Sequence, residues 1–206
     1  MYNNQPAILF PIHAKWCEKI ADGSKTVEVR KTRPRLQTPF LGYIYCTKGS
    51  KWHGCYDHDN NKFGLIHTKN LAAADKYNLE ICDGKVIGEF VCDKIFDLWP
   101  GYTGNQGDHC LTFDEECAYL GDHGHGYGIH ISELKIYDKP LDLYENFRKP
   151  CICPEMPYCP SCWYGSEYIS ESEAEAYRAG QGCETEWRCL NHLKAAPQSW
   201  CRVERI

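Results

Sequence analysis

The apolar runs of this chain are short and strand-like, and that pattern limits the possible folds more than any other feature. "AILFPI" (Ala7 to Ile12), "KTVEVRKT", "PFLGYIYCTKG", "GKVIGEFVCDKIFDLW", "YGIHISELKIYDKP" and the final "SWCRVERI" are rich in β-branched and aromatic residues or alternate with period two. Only short helices fit between them. "HAKWCEKIADG" places Trp16, Cys17 and Ile20 on one side, with charges outside them, and Gly23 closes it. "TFDEECAYLG" opens with a capping box, Thr112 with Glu115, and stops at Gly121. Gly88 interrupts a strand run where a bend or bulge suits it. The pattern predicts an α+β chain: a small mixed β-barrel with flanking short helices, closed by its last strand.

Two segments interrupt this plan. Residues 49–84 contain the turn-rich "HDNNKFG" and a predicted helix near Leu71 to Tyr77. Residues 149–194 are rich in Cys, Gly and Glu, with a solvated helix predicted at "ESEAEAYRAG". The expected organisation is therefore a barrel over 1–148, a Cys-rich insertion over 149–194 and a closing strand over 195–206.

The formal net charge of the 206 residues is −5, so the whole molecule does not attract polyanions and any nucleic-acid surface must be a local patch. No apolar run reaches the length of a membrane span, and the opening residues lack a basic region followed by an apolar one. The expectation is a cytoplasmic protein with no membrane partner. In a reducing compartment, fourteen cysteines point to metal or buried thiols rather than disulfides.

Such a local patch exists. In "DGSKTVEVRKTRPR", Lys25 sits at a helix–strand junction, and Glu28 and Arg30 share the strand face opposite Val27 and Val29. A carboxylate accepts from an exocyclic amine, lysine and arginine donate to a carbonyl or phosphate, and Lys31, Arg33 and Arg35 extend the positive surface. On spacing alone, a solvated face with surface ion pairs is the favoured explanation. "GSKTVEVRK", however, resembles the G-x-K-x-x-E-x-R signature of ASCH domains in the PUA-like superfamily. The flanking segments "AILFPIHAKWCEKIADG", "PFLGYIYCTKG", "GKVIGEFVCDKI", "YGIHISELKIYDKP" and "PQSWCRVERI" are also similar to that family, closest to phage and gut-bacterial members with a Cys-rich insertion.

The resemblance implies a PUA-like pseudo-barrel with a cleft beside the signature. It further implies binding of RNA or a modified nucleobase through Lys25, Glu28 and Arg30, with Lys31, Arg33 and Arg35 on phosphates. Some relatives are enzymes. An acetylcytidine amidohydrolase has lysine where this chain has Lys25, but a nucleophilic threonine where this chain has Glu28. That departure removes the nucleophile, and Thr26 is no obvious substitute. A ribonuclease would use Glu28 as base with Lys25 or a histidine, among them His13, His123, His125 and His130, stabilising the phosphorane. A third reading is a protein-interaction adaptor.

In the late insertion, Cys159-Pro-Ser-Cys162 and Cys189-Leu-Asn-His192 have spacings that let two tight turns present four ligands to one structural zinc. Cys151, Cys153 and Cys183 compete for the same ion. Cys46, Cys92 and Cys201 read as small buried hydrophobes. His53, Cys55 and His58 are better explained by turn chemistry than by a second metal. Trp52, flanked by Lys48 and Lys51, is the candidate base-stacking residue, whereas Trp16 and Trp200 read as core.

Overall fold

The computed structural model describes residues 7–101, 107–121, 124–148 and 197–205. Its architecture is mixed α+β, with three sheets and few helices. β1 (Ala7–His13) is the strand around which the largest sheet is built. It runs parallel to β3 (Phe40–Thr47) and antiparallel to β12 (Cys201–Arg205). β7 (Lys85–Cys92) and β10 (Ser132–Asp142) extend one side, and β11 (Phe147–Arg148) extends the other, giving the order β10-β7-β3-β1-β12-β11. A strand with neighbours on both edges and cover on both faces needs apolar residues at successive positions. β1 has them: Ile8, Phe10 and Ile12 enter the main core, while Ala7 and Leu9 enter a second cluster with Tyr43, Val86, Phe147 and Val203.

Helix α1 (Ala14–Ala21) follows β1 directly and inserts Cys17 and Ile20 into the main core. Gly23, at φ +80°, ends it. The chain then enters β2 (Val27–Arg30), which pairs with β9 (Gly126–His130), itself paired with β8 (Ile95–Leu98). The third sheet, β5 (Lys62–His67), β4 (Trp52–Asp57) and β6 (Leu79–Ile81), lies within the segment read as turn-rich with a helix. Its turn at Asp57–Asn61 is a hairpin: Asp57 Oδ1 accepts from the amides of Asp59 and Asn60. The predicted helix is two 3₁₀ turns, Thr68–Ala73 and Asp75–Tyr77. Helix α2 (Phe113–Leu120) carries the expected reciprocal capping box, and the short α3 (Leu143–Asn146) precedes β11.

Three sequence expectations change. The run "GKVIGEFVCDKIFDLW" is two strands in two sheets, redirected at Asp93 and Lys94, where the His130 amide bonds the Lys94 carbonyl. "YGIHISELKIYDKP" likewise splits at Ile131, whose amide donates to Thr26. Strand pairing among the described residues closes no barrel: the first break passes the chain from the large sheet to a separate antiparallel one, and the second returns it. Gly88 does sit at a register shift between β3 and β7, as expected. The predicted helix at "ESEAEAYRAG" and His123 lie outside the described residues. Among the described residues, no helix is long and apolar enough to cross a membrane.

Candidate functional site

The helix-to-strand junction builds the site. The Lys25 amide bonds the Lys19 carbonyl at 2.8 Å, which folds the chain back at the end of α1. The Thr26 and Val27 amides both donate to the Asp108 carbonyl, and Thr26 Oγ1 accepts from the Asp108 amide at 2.9 Å. Pinned on both sides, Lys25 is directed inward. Its Nζ donates to the carbonyls of Val27 and His109, both at 2.8 Å, and lies 3.4 Å from Glu28 Oε2. Arg30 Nη2 is 3.0 Å from Glu28 Oε1 and donates to the Pro11 carbonyl at 2.7 Å, while Nη1 donates to the Ser199 carbonyl at 3.1 Å.

The three predicted residues therefore meet: Glu28 and Arg30 from the strand face that alternation assigned to them, and Lys25 from the helix–strand junction. Their burial differs from a solvated face: Lys25, Glu28 and Arg30 are 2%, 7% and 5% exposed. Most of their hydrogen-bonding capacity is met by backbone carbonyls and by one another, as buried ions require. One donor is left over, because Arg30 Nε is buried and meets no acceptor.

Lys31, Arg33 and Arg35 lie outside this triad and are exposed. With Thr32, Tyr127 and Trp200, they line an open depression of about 560 Å³; a second of about 670 Å³ continues along residues 33–38. Trp200 is only half-buried, and its Nε1 donates to Thr32 Oγ1 at 3.1 Å. Arg202 fastens the same loop by donating to the Arg35 carbonyl at 3.0 Å. Arg30 adjoins this depression without lining it, pairing in register with Tyr127 and donating to the carbonyl of the residue before Trp200.

Sequence reasoning passed over Tyr127; Trp200, which it assigned to the core, does pack against the main core and also lines the depression. Sequence reasoning also missed His109 and Glu116. Glu116 is buried and accepts from the Gly101 amide at 2.8 Å. Its Oε1 lies 2.9 Å from His109 Nε2 without meeting hydrogen-bond geometry. A carboxylate at N4 of a capped helix beside a Gly-rich loop carries no distinctive spacing. Tyr119, on the same helix, has its hydroxyl pushed up by burial, with Arg30 opposing and Glu28 adding.

Trp52 is exposed, in the third sheet, with its ring edge-on to His67. His13 Nδ1 contacts Thr47 Oγ1, His125 pairs with Asp97, and His130 pairs with Asp93. His58 pairs with Glu80. Cys46 and Cys92 are fully buried, Cys201 partly so. The predicted zinc ligands Cys159, Cys162, Cys189 and His192, and their competitors Cys151, Cys153 and Cys183, lie outside the described residues.

No family model and no curated protein matches the chain. Among solved structures it is similar to ASCH from Zymomonas mobilis, at 13% identity and a TM-score of 0.46, covering 84% of this chain and 94% of that one. Two single-residue mutants of the same protein give 13% and 14% identity and TM-scores of 0.46 and 0.45, covering 84% and 69% of this chain and 96% and 78% of theirs. The structural neighbours are thus ASCH proteins, the family whose signature Gly23 to Lys31 resembles.

Proposed function

We propose that this chain binds single-stranded nucleic acid, with RNA or a strand bearing a modified nucleobase as its ligand. One observation carries the reading: Lys31, Arg33 and Arg35 line the same open depression as Tyr127 and Trp200. Cations track a phosphate backbone and aromatic faces stack bases, which is how proteins hold a single strand. The buried triad supports this site without lining it: Arg30 pairs in register with Tyr127 and holds the carbonyl of Ser199, next to Trp200. The ASCH-like signature supports the same ligand class.

The test is fluorescence anisotropy with short single-stranded RNA, the same sequence in DNA, and a duplex. Wild type is expected to prefer single strands, and the double charge reversal Arg33→Glu/Arg35→Glu to weaken binding more than tenfold. Trp200→Ala is expected to cost about 1–3 kcal/mol, the contribution of one stacked base. Equal affinities for wild type and the reversed variant would defeat the reading and favour a protein-interaction adaptor.

We also propose a structural zinc held by Cys159, Cys162, Cys189 and His192, on the strength of their spacing. Elemental analysis of protein produced with zinc present is expected to find one equivalent. Quadruple alanine substitution of those four should remove it; retained zinc would shift the site to Cys151, Cys153 or Cys183.

A further inference from the structure

A second constellation lies in the third sheet, on residues that the nucleic-acid reading does not use. His53, the second residue of β4, is 6% exposed and held at both nitrogens. Its Nδ1 is 2.6 Å from Asp83 Oδ2, and its Nε2 is 2.9 Å from Thr68 Oγ1. Asp83 is anchored in turn, accepting from the Gly54 amide at 3.0 Å on Oδ1 and from the Gly49 amide at 3.3 Å on Oδ2. Thr68 directly follows β5 and is exposed. The geometry points to Thr68 as a nucleophile activated by His53 and oriented through Asp83, acting on activated esters.

The chemistry follows from the partners. A carboxylate on Nδ1 keeps the imidazole proton there and leaves the Nε2 lone pair facing the hydroxyl. Thr68 Oγ1 has one proton and three acceptors in reach: Nε2, the Ser50 carbonyl at 2.9 Å and the Lys51 carbonyl at 3.1 Å. The hydroxyl proton exchanges among the Ser50 carbonyl, the Lys51 carbonyl and His53 Nε2. When it points to Nε2, Oγ1 can attack an ester carbonyl carbon. The Oγ1–C bond forms, the proton passes to Nε2, and the carbonyl electron pair moves to oxygen. Collapse breaks the bond to the leaving alkoxide, which takes the proton from Nε2. Water deprotonated by the same nitrogen then releases the acid and restores Thr68. Lys69, the next residue in the chain, and Lys51, whose carbonyl Thr68 bonds, are both exposed cations near this segment.

Two probes on the full chain test this: a fluorophosphonate, which forms an Oγ1–P bond with loss of fluoride, and p-nitrophenyl acetate. Peptide mapping is expected to find the phosphonate on Thr68, with Thr68→Ser still labelled and Thr68→Val unlabelled. His53→Gln should cut acetate turnover at least tenfold with its melting temperature retained. Asp83→Asn should displace the pH–rate profile, which loss of packing alone does not do. No adduct on Thr68 in the wild type, or equal labelling of Thr68→Val, overturns the inference. Because Thr68 is exposed, that pair of variants decides the matter even if His53→Gln fails to fold.

Discussion

Glu28 places one negative charge between two buried cations, with Oε2 facing Lys25 and Oε1 facing Arg30. Removing it leaves two positive charges in a region closed to water, a larger loss than removing either cation. Glu28→Gln is therefore expected to destabilise the fold by about 3–5 kcal/mol, and Lys25→Met by less. Urea unfolding measures both, and a loss below about 1 kcal/mol for Glu28→Gln would contradict the buried-triad account. Sequence alternation placed Glu28 and Arg30 on one face, but it did not reveal their burial. The groups that cover them, His109 and Ser199, are contributed by distant stretches of chain. Buried thiols show the converse, where sequence was sufficient: cysteines in apolar runs at 46 and 92 are core residues. Burial pushes the Cys55 thiol up to about 11 and that of Cys92 up to about 12. Since the thiolate is the reactive form, both should resist iodoacetamide at pH 8, while exposed Cys117 reacts. Mass spectrometry before and after denaturation checks the order.

The elements most legible in the sequence were those with explicit punctuation. Gly23 ended α1, and Thr112 with Glu115 opened α2. The two crossings between sheets that fall inside a strand-like run were not legible, because apolar residues continue through Asp93–Lys94 and through Ile131 and only non-local bonds mark the change. The third sheet was missed because His53, Gly54, Cys55 and Gly64 interrupt the aromatic and aliphatic residues of β4 and β5, so that only their turn gave a signal. Two predictions belong at this scale. A Cβ on Gly88 would stand 2.5 Å from the Lys135 carbonyl oxygen at the bulge, so Gly88→Ala should cost about 1–3 kcal/mol in a melting or urea experiment. The capping box has a pH signature. Lys15 first, and then the Thr112 amide, hold the Glu115 carboxyl below its ordinary 4.5. A depressed folded value contributes stability that is present above the unfolded value and lost as pH falls through the folded one. The melting temperature of Glu115→Gln should therefore decline less steeply than wild type as pH is lowered from about 5. Parallel acid curves would remove the capping box from the acid response.

At the scale of the whole molecule, the two charge facts pull in opposite directions. The body carries −5, yet the loop after β2 exposes Lys31, Arg33 and Arg35 around one depression. Long-range attraction therefore contributes little, and contact at the loop must supply what affinity there is. The large sheet delivers that contact: β12, paired to β1, carries in the residues just before it both the Ser199 carbonyl that Arg30 holds and the Trp200 indole that meets Thr32. If three cations each neutralise one phosphate of a single strand, the logarithm of affinity should fall against the logarithm of salt with a slope of about −2. Between 50 and 200 mM salt, that is a loss of roughly twentyfold. Arg35→Ala should flatten the slope by about 0.7 and lower affinity to a similar degree across sequences, since a phosphate contact carries no base information. Trp200→Ala should instead weaken binding and leave the slope unchanged, because stacking releases no counterions. The two variants thus separate the two halves of the depression. A slope near zero in the wild type would mean that the cations do not touch the backbone, whatever the affinity.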